Sequence, residues 1–203
     1  MCVYTIGCST NTSEEFIKLI NKYKINCLVD VRSTPFSKYT QQFNKENLQE
    51  LLKKHKISYI WMGKEFGARR EDRSLYSSKG YLDFEKVCTS QEFLSGVNRI
   101  QNGLERGYKI VLMCTEKDPI DCHRTILVSK GLDENGIQVK HILPDGSLCN
   151  KDEIEERLLD MYFKNRNQID IDMLLGNALT EEEMIAEAYR KRNKDIGYEL
   201  KEE

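Results

Sequence analysis

The chain has 203 residues, 39% hydrophobic and 32% charged, with 31 Lys and Arg against 33 Asp and Glu and a formal net charge of −2. That length suits one domain with a sizeable core, and a second full domain would be crowded. The near-neutral balance excludes a global field drawing the molecule to nucleic acid or to an anionic membrane, so a nucleic-acid role must rest on local patches.

Val3-Tyr4-Thr5-Ile6-Gly7 reads as a first strand. Thr12-Ser13-Glu14-Glu15 forms a capping box, and Phe16, Leu19, Ile20 and Tyr23 follow at helical spacing. Cys27 to Arg32 is apolar almost throughout, as in a parallel strand covered on both faces. After a loop over residues 33–43, Leu48, Leu51 and Leu52 mark a second helix, and Ser58 to Met62 a third strand. Residues 63–86 are irregular. Thr89-Ser90-Gln91-Glu92 then caps a helix carrying Phe93, Val97, Ile100 and Leu104, which ends at Gly107. Lys109 to Cys114 is a fourth, buried strand. A continuous helix is expected from about Pro119 to Asn135, a fifth strand from Gln138 to Leu143, and a helix from Asp152 to Phe163.

This alternation predicts an α/β three-layer sandwich: a mostly parallel sheet of about five strands, helices on both faces, and a helical C-terminal tail. Residues 1–162 are expected to form the core domain. Residues 163–203 are expected to form an extension packed on it, with Met184, Ile185, Ala188 and Tyr189 at helical spacing and the last residues loose.

Seven cysteines is an odd number. The N-terminus lacks a basic region followed by an apolar stretch, and no apolar run approaches the ~18–20 residues needed to span a bilayer. The expectation is therefore a cytoplasmic protein with free thiols and no membrane attachment. Cys2, Cys27, Cys88 and Cys149 read most simply as small buried apolar residues.

In open α/β sheets, ligands sit beyond the carboxyl ends of the strands, and three such ends are polar here. The first runs into Gly7-Cys8-Ser9-Thr10, small residues that leave backbone amides approachable. The second ends in Asp30-Val31-Arg32, where Asp30 and Arg32 share a face. They read either as a structural ion pair or as an anion-binding arginine held by its carboxylate. The fourth ends in Cys114-Thr115-Glu116-Lys117-Asp118. Asp118 before Pro119 reads first as a helix cap. His123 lies on the apolar side of the expected helix. On a continuous helix Cys122, His123 and Arg124 fan out by about 100° each, so they cannot all face one point; His123 is placed inward, with Cys122 and Arg124 competing for the rim.

Three functional readings fit. In an enzyme, Cys114, Glu116 and His123 form the reactive edge, while Ser9, Asp30, Arg32 and Arg124 serve an anionic, phosphate- or nucleotide-like ligand. A metal site would use Cys114, Cys122 and His123 with Glu116 or Asp118; the Cys-x7-Cys-His spacing matches no common closed zinc motif, so no metal ligands are assigned. A nucleic-acid-binding module would use Ser37-Lys38-Tyr39, Lys64 to Arg73 and Tyr189-Arg190-Lys191-Arg192. Cofactor and oligomeric state stay open.

On these residues the chain resembles the family known as domain of unknown function 488. The likeness is carried by Thr5-Ile6-Gly7-Cys8-Ser9, by Val29-Asp30-Val31-Arg32-Ser33 with Pro35 and Ser37, and by Phe43-Asn44 and Gly67. It continues in Cys114 to Pro119, Cys122-His123-Arg124, His141-Ile142 and Pro144-Asp145-Gly146. It implies an α/β protein and no established activity. Members usually carry histidine where this chain has Cys8, so that position signals either an alternative soft ligand or a changed site. The Val-Asp-Val-Arg strand and the later strand ending in cysteine are also distantly similar to rhodanese-like domains. Those close a tight loop on an arginine just after the cysteine, whereas the first arginine after Cys114 is Arg124, so sulfur transfer is a weaker alternative.

Overall fold

The computed structural model describes residues 1–9, 11–166 and 179–200; Thr10, residues 167–178 and the last residues, 201–203, lie outside the described residues. Six strands form one sheet in the order β3-β2-β4-β1-β5-β6: β1 Cys2–Gly7, β2 Cys27–Asp30, β3 Ser58–Trp61, β4 Ile110–Cys114, β5 Gln138–Ile142 and β6 Leu148–Cys149. All pairings are parallel except β5 with β6. The sheet thus has one strand more than expected. β6 is a two-residue antiparallel edge strand that returns from the Pro144–Gly146 turn, too short to leave a periodic signal.

The sheet is covered on both faces, and strand alternation sorts its residues between them. Ile6, Leu28, Val111, Met113 and Ile142 pack under α1 (Ser13–Lys22) and α2 (Lys45–Lys54). Val3, Val29, Val31, Leu112, Cys114 and Val139 face the opposite layer. That layer contains α3 (Gly63–Phe66), α4 (Phe84–Cys88), α5 (Gln91–Glu105), α6 (Lys130–Glu134), α7 (Lys151–Tyr162) and α8 (Glu181–Ile196). The box expected at Thr12 forms, and another forms at Thr180: each threonine oxygen accepts from the backbone three residues on, and that residue's glutamate accepts from the threonine N–H.

The C-terminal helix α8 is fastened by Asn193. Its buried side chain accepts from the Phe84 N–H at 2.9 Å and donates to the Leu82 carbonyl at 2.8 Å, while Ala188 and Tyr189 join the core. No helix among the described residues is long and apolar enough to cross a membrane.

Candidate functional site

The chain lays down β1, β2 and β3 and then returns to insert β4 between β2 and β1. The carboxyl ends of these three strands are therefore neighbours, and the polar loops after them meet there. Cys8 N–H donates to the Cys114 carbonyl at 3.0 Å and Ser9 N–H to that of Thr115 at 2.9 Å. The amides after β1 are thus used to hold the loop after β4. Ser9, expected to serve a ligand, contributes its backbone to the scaffold.

Four side chains converge beyond β4. Cys114, Glu116, Cys122 and His123 each present one ligand atom, and these atoms all lie within 4.8 Å of one another. Glu116 Oε2 is 3.1 Å from the Cys114 sulfur and 2.8 Å from that of Cys122. His123 Nδ1 is 3.7 Å from Cys114 Sγ, and Nε2 is 3.2 Å from the backbone oxygen of Val31 at the end of β2. A carbonyl only accepts, so in that contact Nε2 carries a proton, and Nδ1 is turned toward the sulfurs. Both sulfurs are buried and His123 half-buried, while Glu116 is exposed and stands on the solvent side.

The local backbone explains the convergence, and it overturns the continuous helix expected from Pro119. A 3-10 turn, Pro119–Asp121, ends at Cys122, whose backbone is extended (φ −132, ψ 140); helical geometry resumes at His123. That interruption removes the 100° fan, so neighbours in sequence, Cys122 and His123, face the same point. The following turn, Arg124–Ser129, is π-helical, a variant found mostly as short bulges and often at functional sites. Asp118 caps as expected, accepting from Ile120 N–H at 3.1 Å; it also pairs with Arg157 at 2.7 Å, a partner 39 residues away.

Arg124 is fully buried. It donates to the backbone oxygens of Glu116 at 2.6 Å and Lys117 at 3.2 Å, and its Nε has no partner. It clamps the loop that carries Glu116, and its guanidinium does not reach solvent. Gly7 supplies the clearance beside it: a Cβ there would lie 1.9 Å from the Glu116 oxygen and 3.3 Å from Arg124 Nη2.

Asp30 and Arg32 belong to a different setting. By strand alternation Asp30 shares the α1/α2 face with Leu28, opposite the face that carries Cys114. Arg32 donates Nε and Nη2 to the Asp30 carboxylate at 2.8 and 2.6 Å and Nη2 to the Phe43 carbonyl at 2.8 Å. Tyr59 OH donates to the same carboxylate at 2.9 Å. With Asp30 0% and Arg32 5% exposed, this is a satisfied buried ion pair. Arg32 is thus engaged by Asp30 and Phe43, while the neighbouring Val31 carbonyl turns to His123 of the cysteine cluster.

The electrostatics of the cluster are coupled. Burial lifts the Cys114 thiol well above its ordinary range, and Cys122 and Glu116 add to this. Burial would raise Cys122 too. The hydrogen bond from Cys114, the Arg124 guanidinium and His123 outweigh it and hold Cys122 well below its ordinary range, and the Arg124 backbone N–H donates to its sulfur at 3.4 Å. Burial and then the charge on Cys122 raise Glu116. Burial opposes protonation of His123, but Cys122 and Glu116 raise its pKa overall. Cys8, between the two settings, is pushed up to about 12 by burial. Two sulfurs and a carboxylate this close repel once ionised, so the cluster calls for a proton or a cation among them.

The residue that the enzyme reading of the sequence left out, and that only the metal-site alternative included, is Cys122. The signal available for it was the adjacent Cys122-His123 pair, eight residues after Cys114.

The profile of the family described as domain of unknown function DUF488 matches residues 12–130. No curated protein and no solved structure matches the chain.

Proposed function

Since the chain belongs to the family described as domain of unknown function DUF488, a description that carries no reaction, we propose from its own side chains that it is a metal-dependent hydrolytic enzyme. It binds a zinc-class ion through Cys114, Cys122 and His123 and uses Glu116 to move a proton. The observation that carries this reading is the convergence of four donor atoms within 4.8 Å.

Thiolate and imidazole are the ligands that borderline-soft zinc prefers. Bound tetrahedrally at ~2.3 and ~2.0 Å, a sulfur and a nitrogen stand about 3.5 Å apart; Cys114 Sγ and His123 Nδ1 are 3.7 Å apart. The contact of Nε2 with the Val31 oxygen is the outer bond that orients a ligating histidine and fixes its tautomer. Three protein ligands leave a fourth position for water, whose pKa such an ion lowers toward about 7. Glu116 stands at the solvent side within reach of both sulfurs, where a carboxylate can take the proton of that water and pass it to a leaving group. In this reading an anionic ligand is attracted by the ion; Arg32 and Arg124 are scaffold. Residues 1–162 are the catalytic core and 163–203 an extension of it. Free thiols at all seven cysteines suit a reducing compartment such as the cytoplasm.

The test is elemental analysis of protein purified without chelator. About one equivalent of zinc per chain is expected, lost in the Cys114→Ser/Cys122→Ser double variant at unchanged far-UV circular dichroism. Metal below about a tenth of an equivalent, or metal retained by the double variant, overturns the reading.

A further inference from the structure

Beyond that centre, we infer that the loop between β2 and α2 is a stacking platform for single-stranded nucleic acid, with Phe36 and Tyr39 as its rings and Lys38 and Lys45 as its phosphate contacts. The inference concerns binding alone and stands apart from the metal reading.

Tyr39 is 96% and Phe36 61% exposed, the two most exposed large apolar side chains among the described residues. A scattered surface aromatic needs no explanation; these two differ because the backbone beneath them is fixed. Pro35 restricts its own φ, and its carbonyl accepts from Lys45 N–H at 3.0 Å. Ser37 N–H donates to the buried Asn44 side chain at 2.7 Å. Ser37 Oγ in turn accepts from the N–H groups of Tyr39 and Thr40 at 3.1 and 3.3 Å. A loop tied down at this many points holds its rings in water and loses little further backbone freedom when something stacks on them.

The charge around the rings selects the occupant. From Ser33 to Lys45 the chain carries Lys38 and Lys45 and no carboxylate. Lys45 Nζ lies 5.9 Å from the centre of the half-buried Trp61 ring, and Trp61 donates to the Arg32 carbonyl at 2.9 Å, so a third aromatic lies at the foot of the same loop. Ser33 Oγ accepts from the Arg69 backbone N–H at 2.9 Å, a further tie on the start of the loop; the Arg69 guanidinium itself lies over the Tyr198 ring. Exposed rings interleaved with lysines, the first carboxylate being Glu46 at the start of α2, match alternating bases and phosphates. They do not match an acidic or purely apolar protein surface equally well. Base pairing hides the ring faces, so a duplex would forfeit the stacking. Phe36 is five residues beyond Val31, at most roughly 18 Å of chain, which puts the platform at the same edge of the sheet as the cysteine cluster.

Fluorescence anisotropy with a labelled oligouridylate and oligothymidylate, at low and then rising salt, tests this on the full chain. Binding should weaken with salt, a matched duplex should bind less well than either strand, and Phe36→Ala/Tyr39→Ala should lower affinity at least about tenfold. Lys38→Glu should weaken binding as well. Both positions are exposed, so the variants should keep the thermal midpoint of the parent. The Cys114→Ser/Cys122→Ser variant should bind like the parent, which separates failure here from failure of the metal centre. Four results overturn the inference: no binding to either strand at low salt, equal affinity in the double aromatic variant, equal affinity for duplex, or concentration-dependent self-association that the aromatic variant abolishes.

Discussion

A methyl group at residue 7 would stand 1.9 Å from the backbone oxygen of Glu116 and 2.9 Å from its carbonyl carbon. The end of β1 therefore sets how closely the Glu116 loop can approach, and Arg124, packed beside the same glycine, holds it there. Glu116 owes its place beside the two sulfurs to a residue that has no side chain.

Gly7→Ala must push that loop outward, since the blocking atoms are backbone. The expected cost is on the order of 1–3 kcal/mol in urea unfolding, as for other forced overpacking. Zinc affinity measured by chelator competition should fall with it. A variant with unchanged stability and unchanged affinity would show that the loop yields freely and that this clearance is unimportant.

The Asp30–Arg32 pair gives a sharper separation of roles. Arg32→Met leaves a carboxylate of 0% exposure with only the Tyr59 hydroxyl among its side-chain hydrogen-bond donors. Breaking a buried pair in this way should cost roughly 3–5 kcal/mol, and replacing both partners in Asp30→Leu/Arg32→Met should recover most of it. Bound zinc per folded chain should be the same in all three proteins. If metal content falls in the double variant while the fold is kept, the two settings are one site after all.

His141 sets an acid limit. Burial first, then the Arg124 charge, lower its pKa from 6.5 to about 3, and Nδ1 lies 2.8 Å from Thr5 Oγ1. The unfolded chain takes up a proton here as pH falls through 6.5, while the folded chain stays neutral to about 3. Above that window this group adds no pH dependence; within it stability declines as pH falls, by up to about 1.4 kcal/mol per pH unit. His141→Asn should be the less stable protein at pH 7, with the gap to the parent narrowing steadily toward pH 5. Parallel stability curves over that range would rule out this assignment.

Much of the fold could be read from local pattern. The apolar runs at Cys27 to Val31 and Ile110 to Cys114 and the box at Thr12 depend on near neighbours, and each formed. β6 escaped because two residues, Leu148 and Cys149, show no alternation. The cluster's members could be named as a candidate metal set, but their convergence escaped: the fan of Cys122, His123 and Arg124 assumed an unbroken helix, and one extended residue cancelled it. Burial assigned the arginines their scaffold role. Arg124 and Arg32 have the chemistry of anion binders, and only the carbonyls and carboxylate around them reveal which of their donors are already engaged. Arg157, which reaches Asp118 across 39 residues, was beyond any reading by spacing.

Asn193 has one more implication. Its carboxamide meets an N–H and a C=O of the segment around Leu82 as an adjoining strand would, so the far end of the polypeptide shields peptide groups laid down a hundred residues earlier. Until α8 has been made and has docked, those peptide groups stay open to other chains. Shortened versions ending before residue 180 should therefore be prone to clump, and the full-length product is the sensible starting point for crystallisation or assay.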